Sequence, residues 1–237
     1  MSENPVQAAS WPALPLTERR VLGVMVEKAK TTPDVYPLSL NALTTGCNQK
    51  SNRDPVLNLD DSDVEQALDT LQKQGLVTRI TGGRVDRWRH NLYDVWKVEK
   101  IELAILAELF LRGAQTEGEL RSHASRMEAI DDLEKLRGVL RPMAERGLVL
   151  FLGPEGRRGT LITHGFQSEQ DLERLRASAA ASAHEREAAP APPRPAAPDL
   201  EAAVQDLRRQ FEELRTLVQT LQNDFQQMKS EIHVVKP

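Results

Sequence analysis

The chain repeats itself, and the repeat limits its fold more than any other feature. Residues 64–77 (VEQALDTLQKQGLV) and 136–149 (LRGVLRPMAERGLV) match position by position. In each, apolar residues recur at helical spacing: Val64, Leu68 and Leu71 in one, Leu136, Leu140 and Met143 in the other. Each run ends at a glycine, Gly75 or Gly147, a residue that takes the left-handed backbone that stops a helix. Leu-Val follows in both and opens a strand. Leu76–Ile80 leads through Thr81-Gly82-Gly83-Arg84 to a strand from Val85 to His90. Leu148–Leu152 leads through a Gly153–Gly159 turn to Thr160–His164. Both read as β-hairpins.

Two more helices precede each of these units. Thr17 is expected to cap a helix through Val21, Leu22, Met25 and Val26, and Ser39 a short one holding Leu40 and Leu43. In the second half, Ile101, Ile105, Leu106, Leu109 and Phe110 mark the first helix, and Thr116 caps the second around Leu120. Pro142 should kink or shorten the third. Three helices and a hairpin, twice over, is the order of a tandem winged helix-turn-helix. The expected class is mainly α with small β-hairpins. Residues 16–97 form the first domain and 98–166 the second, after an N-terminal tail at 1–15. Each half is small enough that a shared interface is expected to add burial.

Beyond them the composition changes. Residues 167–199 read as a short helix followed by an Ala/Pro-rich linker: Ser168 and Asp171 cap the helix, and 177–198 offer no large apolar side chain to bury. Residues 200–233 then carry Leu200, Val204, Leu207, Phe211, Leu214, Val218, Leu221, Phe225, Met228 and Ile232 at alternating steps of four and three. That is the coiled-coil period, and its stripe needs a partner. Self-association into a dimer is expected, against the alternative of a helix folding back on its own chain.

Residues 31–56, TTPDVYPLSLNALTTGCNQKSNRDPV, and the later LRGAQTEGELRSHASRM resemble signature segments of the YceH-like proteobacterial family over about residues 14–166. The resemblance implies a tandem winged-helix fold. It implies little about activity.

Little points to catalysis. The histidines (His90, His123, His164, His184, His233) are scattered, and His90 and His164 end equivalent strands, which suggests a repeated structural role. Cys47 stands alone, without zinc-ligand spacing or an identifiable base. No enzyme, metal or cofactor is expected. With one cysteine, no secretory start and no long apolar run, a cytoplasmic location away from membranes is expected.

The net charge is −4, so any nucleic-acid surface must be local. Residues 16–97 hold twelve Lys or Arg against eleven Asp or Glu, and 98–166 ten against eleven. The third helix of the first half opens Asp60-Asp61-Ser62-Asp63-Val64-Glu65, a poor approach to phosphates. The hairpins suit double-stranded DNA better. Arg79, Arg84, Arg87 and Arg89 line the first, with Arg87 and Arg89 on the face opposite Trp88, and Arg157 and Arg158 the second. Lys50 and Arg53 in the polar segment 47–56, and Arg137 and Arg141 on the second copy's third helix, complete the candidate set. Asn48, Gln49 and Asn52 either read base edges or fix their own loop. Two functions stay open: a DNA-binding regulator dimerised by its C-terminal helix, and a protein-interaction adaptor that binds no DNA.

Overall fold

The computed structural model describes residues 11–188 and, beyond them, 205, 208–212, 215–216 and 219–220. Two compact units separate near Arg186. The first mixes helices with small antiparallel sheets. Helix α1 (Leu16–Thr31) leads through a short 3-10 turn to strand β1 (Leu38–Ser39), helix α2 (Leu40–Cys47) and helix α3 (Asp61–Lys73). The hairpin β2 (Val77–Ile80) and β3 (Arg87–His90) follows, then a short α4 (Leu92–Trp96). The second half runs α5 (Lys100–Arg112), β4 (Gln115–Thr116), α6 (Glu117–Ala124), α7 (Leu133–Glu145), β5 (Val149–Phe151) and β6 (Leu161–His164). Helix α8 (Glu169–Ala188) closes the unit.

The repeat is exact in topology. One sheet runs β1-β3-β2 and the other β4-β6-β5. Val77 opposes His90 as Val149 opposes His164. Helices α3 and α7 end alike: Leu76 N–H donates to Leu71 O and Gly75 N–H to Gln72 O, while Leu148 N–H donates to Met143 O and Gly147 N–H to Ala144 O. Both glycines are left-handed, at φ 75° and 70°, as this type of helix stop requires. The third strand of each sheet has no sequence signal, because a two-residue strand carries no periodicity.

Other expectations need correction. Thr17 lies inside α1, which starts from Pro15 without a side-chain cap. Ser39, Thr116 and Ser168 do cap, accepting from Ala42, Glu119 and Asp171 N–H. Pro142 does not shorten α7, which matches α3 in length. The ring removes one N–H donor, and its i−4 neighbour is the exposed, uncrowded Gly138. Helix α8 runs through residues 177–188, whose composition reads as linker, since alanine is the strongest helix former. The tail is also partly engaged: Leu14 is buried, its N–H donates to Phe166 O, and Trp11 Nε1 donates to Arg146 O at 2.8 Å.

Helices α1 and α5 lie back to back and bury almost all their faces in one continuous core. Two asymmetric contacts fix this crossing. A Cβ on Gly23 would sit 2.9 Å from Leu111 Cγ and 3.3 Å from Ala107 O. The loop before α3 reaches across, with Asp54 N–H donating to Leu111 O. In the second unit the described residues are helical. Of the ten heptad positions only Phe211 is among them, and it is 66% exposed; Leu200, Val204, Leu207, Leu214, Val218, Leu221, Phe225, Met228 and Ile232 lie outside the described residues. No described helix is long and apolar enough to cross a membrane.

The crossing gives a stability test. Gly23→Val should cost about 1–3 kcal/mol by overpacking, read from the urea midpoint. Gly118→Ala, on a helix position with no atom within 4 Å, should gain about 0.5–1 kcal/mol. Equal midpoints for Gly23→Val and the parent chain would remove the close-approach explanation.

Candidate nucleic-acid interface

The first hairpin is built by alternation. On β3, Arg87 and Arg89 are exposed while Trp88 between them is buried. Register places Ser39 and Ile80 opposite Arg87, and Thr78 opposite Arg89, so these share the outward face. Arg79 opposes Trp88 on the inward face. Its guanidinium lies 5.6 Å from the Trp88 ring centroid and donates to Asp86 Oδ2 at 2.9 and 2.5 Å. Arg79 is therefore a cover for Trp88, neutralised by its neighbour, and leaves the candidate set. Arg84 sits in the fully exposed turn 81–85. Arg87 Nη1 donates to Pro37 O at 2.7 Å, which steadies the side chain without cancelling its charge. Among the described residues no carboxylate lies within ion-pair distance of Arg84, Arg87 or Arg89.

The helical and loop candidates fare differently. Arg53 is wholly buried. It donates to both carboxylate oxygens of Glu27, at 3.1 and 2.6 Å, and to Gly46 O, Asn52 O and Gln49 Oε1. It holds the loop and cannot reach a phosphate. The amides are structural too. Asn48 exchanges two hydrogen bonds with the Leu59 backbone, and Asn52 Oδ1 accepts from Arg112 and Arg126 of the second half. On α7, Arg137 is forked onto Glu117 and Arg141 pairs with Glu155 at 2.8 Å. Both stay partly exposed, but their charge is already matched. Lys50, Arg157 and Arg158 are exposed.

Helix α3 presents Asp61, Asp63, Glu65 and Asp69 to solvent. Its start is a capping box: Asp60 accepts from Asp63 N–H, and Asp63 returns the bond to Asp60 N–H. Hydrogen bonds from Ser62 and Asp63 hold the Asp60 carboxyl below its ordinary range. The acids thus stabilise the helix end they occupy while giving its outer face the wrong sign for DNA.

Both strand-end histidines sit among aromatic rings. His164 is buried against Phe110 and Phe166. His90 stacks near Tyr36 and Tyr93, its Nδ1 buried without a partner. Cys47 is fully buried, and burial pushes its thiol up to about 12, which disfavours the reactive thiolate. Among the described residues no His/Cys/Asp/Glu group is arranged to hold a metal. Sequence reading missed several cations that matter structurally. Arg20, fully buried, donates to Cys47 O and Pro55 O. Arg146 donates to Glu102 and to the Trp96 and Lys97 carbonyls. Arg19 faces a cavity. Each sits in a helical or loop stretch where only tertiary neighbours reveal its burial.

A family model described as a protein of unknown function, DUF480, matches residues 14–155. The chain is 49% identical over 172 residues to a UPF0502 protein of Rhodopirellula baltica, covering 71% of this chain and 72% of the relative. A UPF0502 protein of Geobacter sulfurreducens is 48% identical over 177 residues, covering 73% and 77%. One from Pseudomonas aeruginosa is 42% identical over 174 residues, covering 73% and 79%.

Burial of His90 makes stability depend on pH. Its pKa is pushed down from 6.5 to about 4 by desolvation, with Lys30 and Arg89 adding repulsion. The unfolded chain therefore binds this proton more readily. The contribution is fully present above about 6.5 and is lost as pH falls toward 4. Urea midpoints should drop between pH 7 and 4.5, and His90→Gln should flatten that slope whatever it does to stability at pH 7. An unaltered slope would show that His90 ionises freely in the folded chain.

Proposed function

As a member of the DUF480 family, to which the chain belongs, this protein is, we propose, a tandem winged-helix DNA-binding regulator, YceH-like in arrangement, that grips the phosphate backbone with its first hairpin. The reading is of a non-catalytic, cytoplasmic protein. One observation carries it. Arg84, Arg87 and Arg89 are exposed on a projecting hairpin without a carboxylate partner among the described residues, whereas Arg53, Arg79, Arg137 and Arg141 are each matched to an acid. Guanidiniums on a projecting hairpin and without an acidic partner suit phosphate contact. Lys50 and Arg158 can add to the field, while α3 stays out of the groove because its own carboxylates oppose entry. The repeated order of helix, strand, helix, helix and hairpin supports the winged-helix part of the reading.

A second reading has its own observation. The exposed carboxylates Asp61, Asp63, Glu65 and Asp69 on α3 suit a basic protein surface, as an adaptor would require.

Titrating a labelled duplex at rising salt separates the two. Association at low salt with a steep loss of affinity is expected, because each neutralised phosphate contributes a slope of about 0.9. Replacing Arg84, Arg87 and Arg89 together by Ala should make the slope shallower by about 3, while Arg137→Ala with Arg141→Ala leaves it in place. Absence of low-salt association removes DNA binding and leaves the adaptor.

The heptads at 200–233 are proposed to pair two copies, which would raise the effective concentration of the hairpins on one duplex. Sedimentation should show a concentration-dependent dimer that Leu207→Asp with Leu214→Asp converts to monomer. Equal mass for both chains would remove the coiled coil.

A further inference from the structure

The far end of the first hairpin carries side chains that the fold leaves unused. The β2–β3 ladder ends at the Ile80–Arg87 pair, so residues 81–86 project beyond it. The turn Thr81-Gly82-Gly83-Arg84-Val85 is exposed throughout. Gly82 takes φ 104°, and no atom lies within 4 Å of where a Cβ would stand. The tip is therefore bare backbone in open space at this position. Arg84 is the one charged residue of the turn. Asp86, the nearest acid in sequence, is engaged by Arg79 at 2.9 and 2.5 Å. Ile80 and Val85, on either side of the turn, are exposed apolar side chains that contribute nothing to the core.

Groove dimensions narrow how such a hairpin can read DNA. The major groove, about 12 Å wide, takes a helix. In the winged-helix arrangement α3 would enter it, but Asp61, Asp63, Glu65 and Asp69 face solvent there and are repelled by the phosphates on either side. The minor groove is about 6 Å wide. Two paired strands, ~4.8 Å apart before side chains are counted, do not fit into it, whereas one extended guanidinium does. Two adjacent glycines, Gly82 and Gly83, let the turn approach the edge of the groove without side chains in the way. Deoxyribose lines the groove walls, an apolar surface that suits Ile80 and Val85. Arg87 and Arg89 share one face of β3, about 7 Å apart, and are placed for phosphates beside the groove.

The same groove discriminates between base pairs. Over A·T-rich stretches it narrows, which strengthens its negative potential and favours an inserted arginine. G·C pairs place the guanine N2 amino group there, a donor that opposes the donors of a guanidinium. A guanidinium is also more weakly hydrated than an ammonium, so it loses less water on entering a narrow groove.

Resting on the DNA-binding reading, we propose that Arg84 is its specificity-determining residue. It enters the minor groove of an A·T-rich duplex, flanked by Ile80 and Val85, while Arg87 and Arg89 hold adjacent phosphates whatever the sequence. The chain then selects DNA by groove shape, and no element reads base edges in the major groove.

Affinities of the full chain for three labelled duplexes of equal length test this: an A·T tract, a G·C duplex, and the same G·C duplex with inosine in place of guanine. Inosine lacks the N2 amino group, so the third duplex keeps the major groove of G·C and presents the minor-groove acceptors of A·T. The A·T and inosine duplexes should bind more tightly than G·C by about fivefold or more. Arg84→Ala, in an exposed turn, should bring the three affinities together. Arg87→Ala should lower all three by one factor and keep their ratio. Equal affinities in the parent chain, an inosine duplex that behaves as G·C, or a preference that survives Arg84→Ala each overturns the assignment and leaves DNA binding in place. A chain that binds none of the three at low salt loses the DNA-binding reading, and this assignment with it.

Discussion

The contact of α1 with α5 is the constraint from which the rest of the first unit follows. Each half, taken alone, is in the size range where a single core is marginal. Placing the first helix of one half against the first helix of the other gives both a second buried face. Val21, Leu22, Val24 and Met25 on one side, and Leu103, Ile105, Leu106 and Leu109 on the other, then share one core. Gly23 is the residue that permits the crossing, because any side chain there meets Leu111 and the Ala107 carbonyl. The polar loop between α2 and α3 sits over the seam, and its amides and arginines spend their hydrogen bonds on holding it there. Arg20 and Glu27 hold it from the first half, Arg112 and Arg126 from the second.

That seam also divides the cations into kinds. Those near the core or on helices are desolvated or matched to acids and serve the fold. On the first hairpin Arg79 is paired with Asp86, whereas Arg84, Arg87 and Arg89 have no carboxylate within ion-pair distance among the described residues. A protein with net charge −4 thus carries a local positive edge and, on α3, a local negative face. The two suit opposite partners: DNA at the hairpin in the proposed reading, a basic protein at α3 in its rival. Arg19 belongs to neither kind. It is half-buried, hydrogen-bonded to Gln167 and His164, and Asp171 acts on its charge from beyond ion-pair distance.

Much of the architecture was legible because it is local. The paired glycine stops, the caps at Ser39 and Thr116, and the alternation of Arg87, Trp88 and Arg89 all depend on neighbours within a few residues. Elements that draw their stability from distant partners were not legible. Strands β1 and β4 are two residues long and exist only through β3 and β6. Trp11 and Leu14 read as tail until Phe166 and Arg146 are seen beside them. The extension of α8 is not legible from apolar periodicity, because alanine favours a helix without needing burial.

By itself, then, the sequence determined the repeated order of elements, since capping, helix stopping and strand alternation are set by short-range backbone chemistry. Only the tertiary structure decided which arginines remain available. A guanidinium's fate depends on the carboxylate or carbonyl that folding brings within a few ångströms: Arg53 met Glu27, Arg137 met Glu117, and Arg84 on its exposed turn met neither.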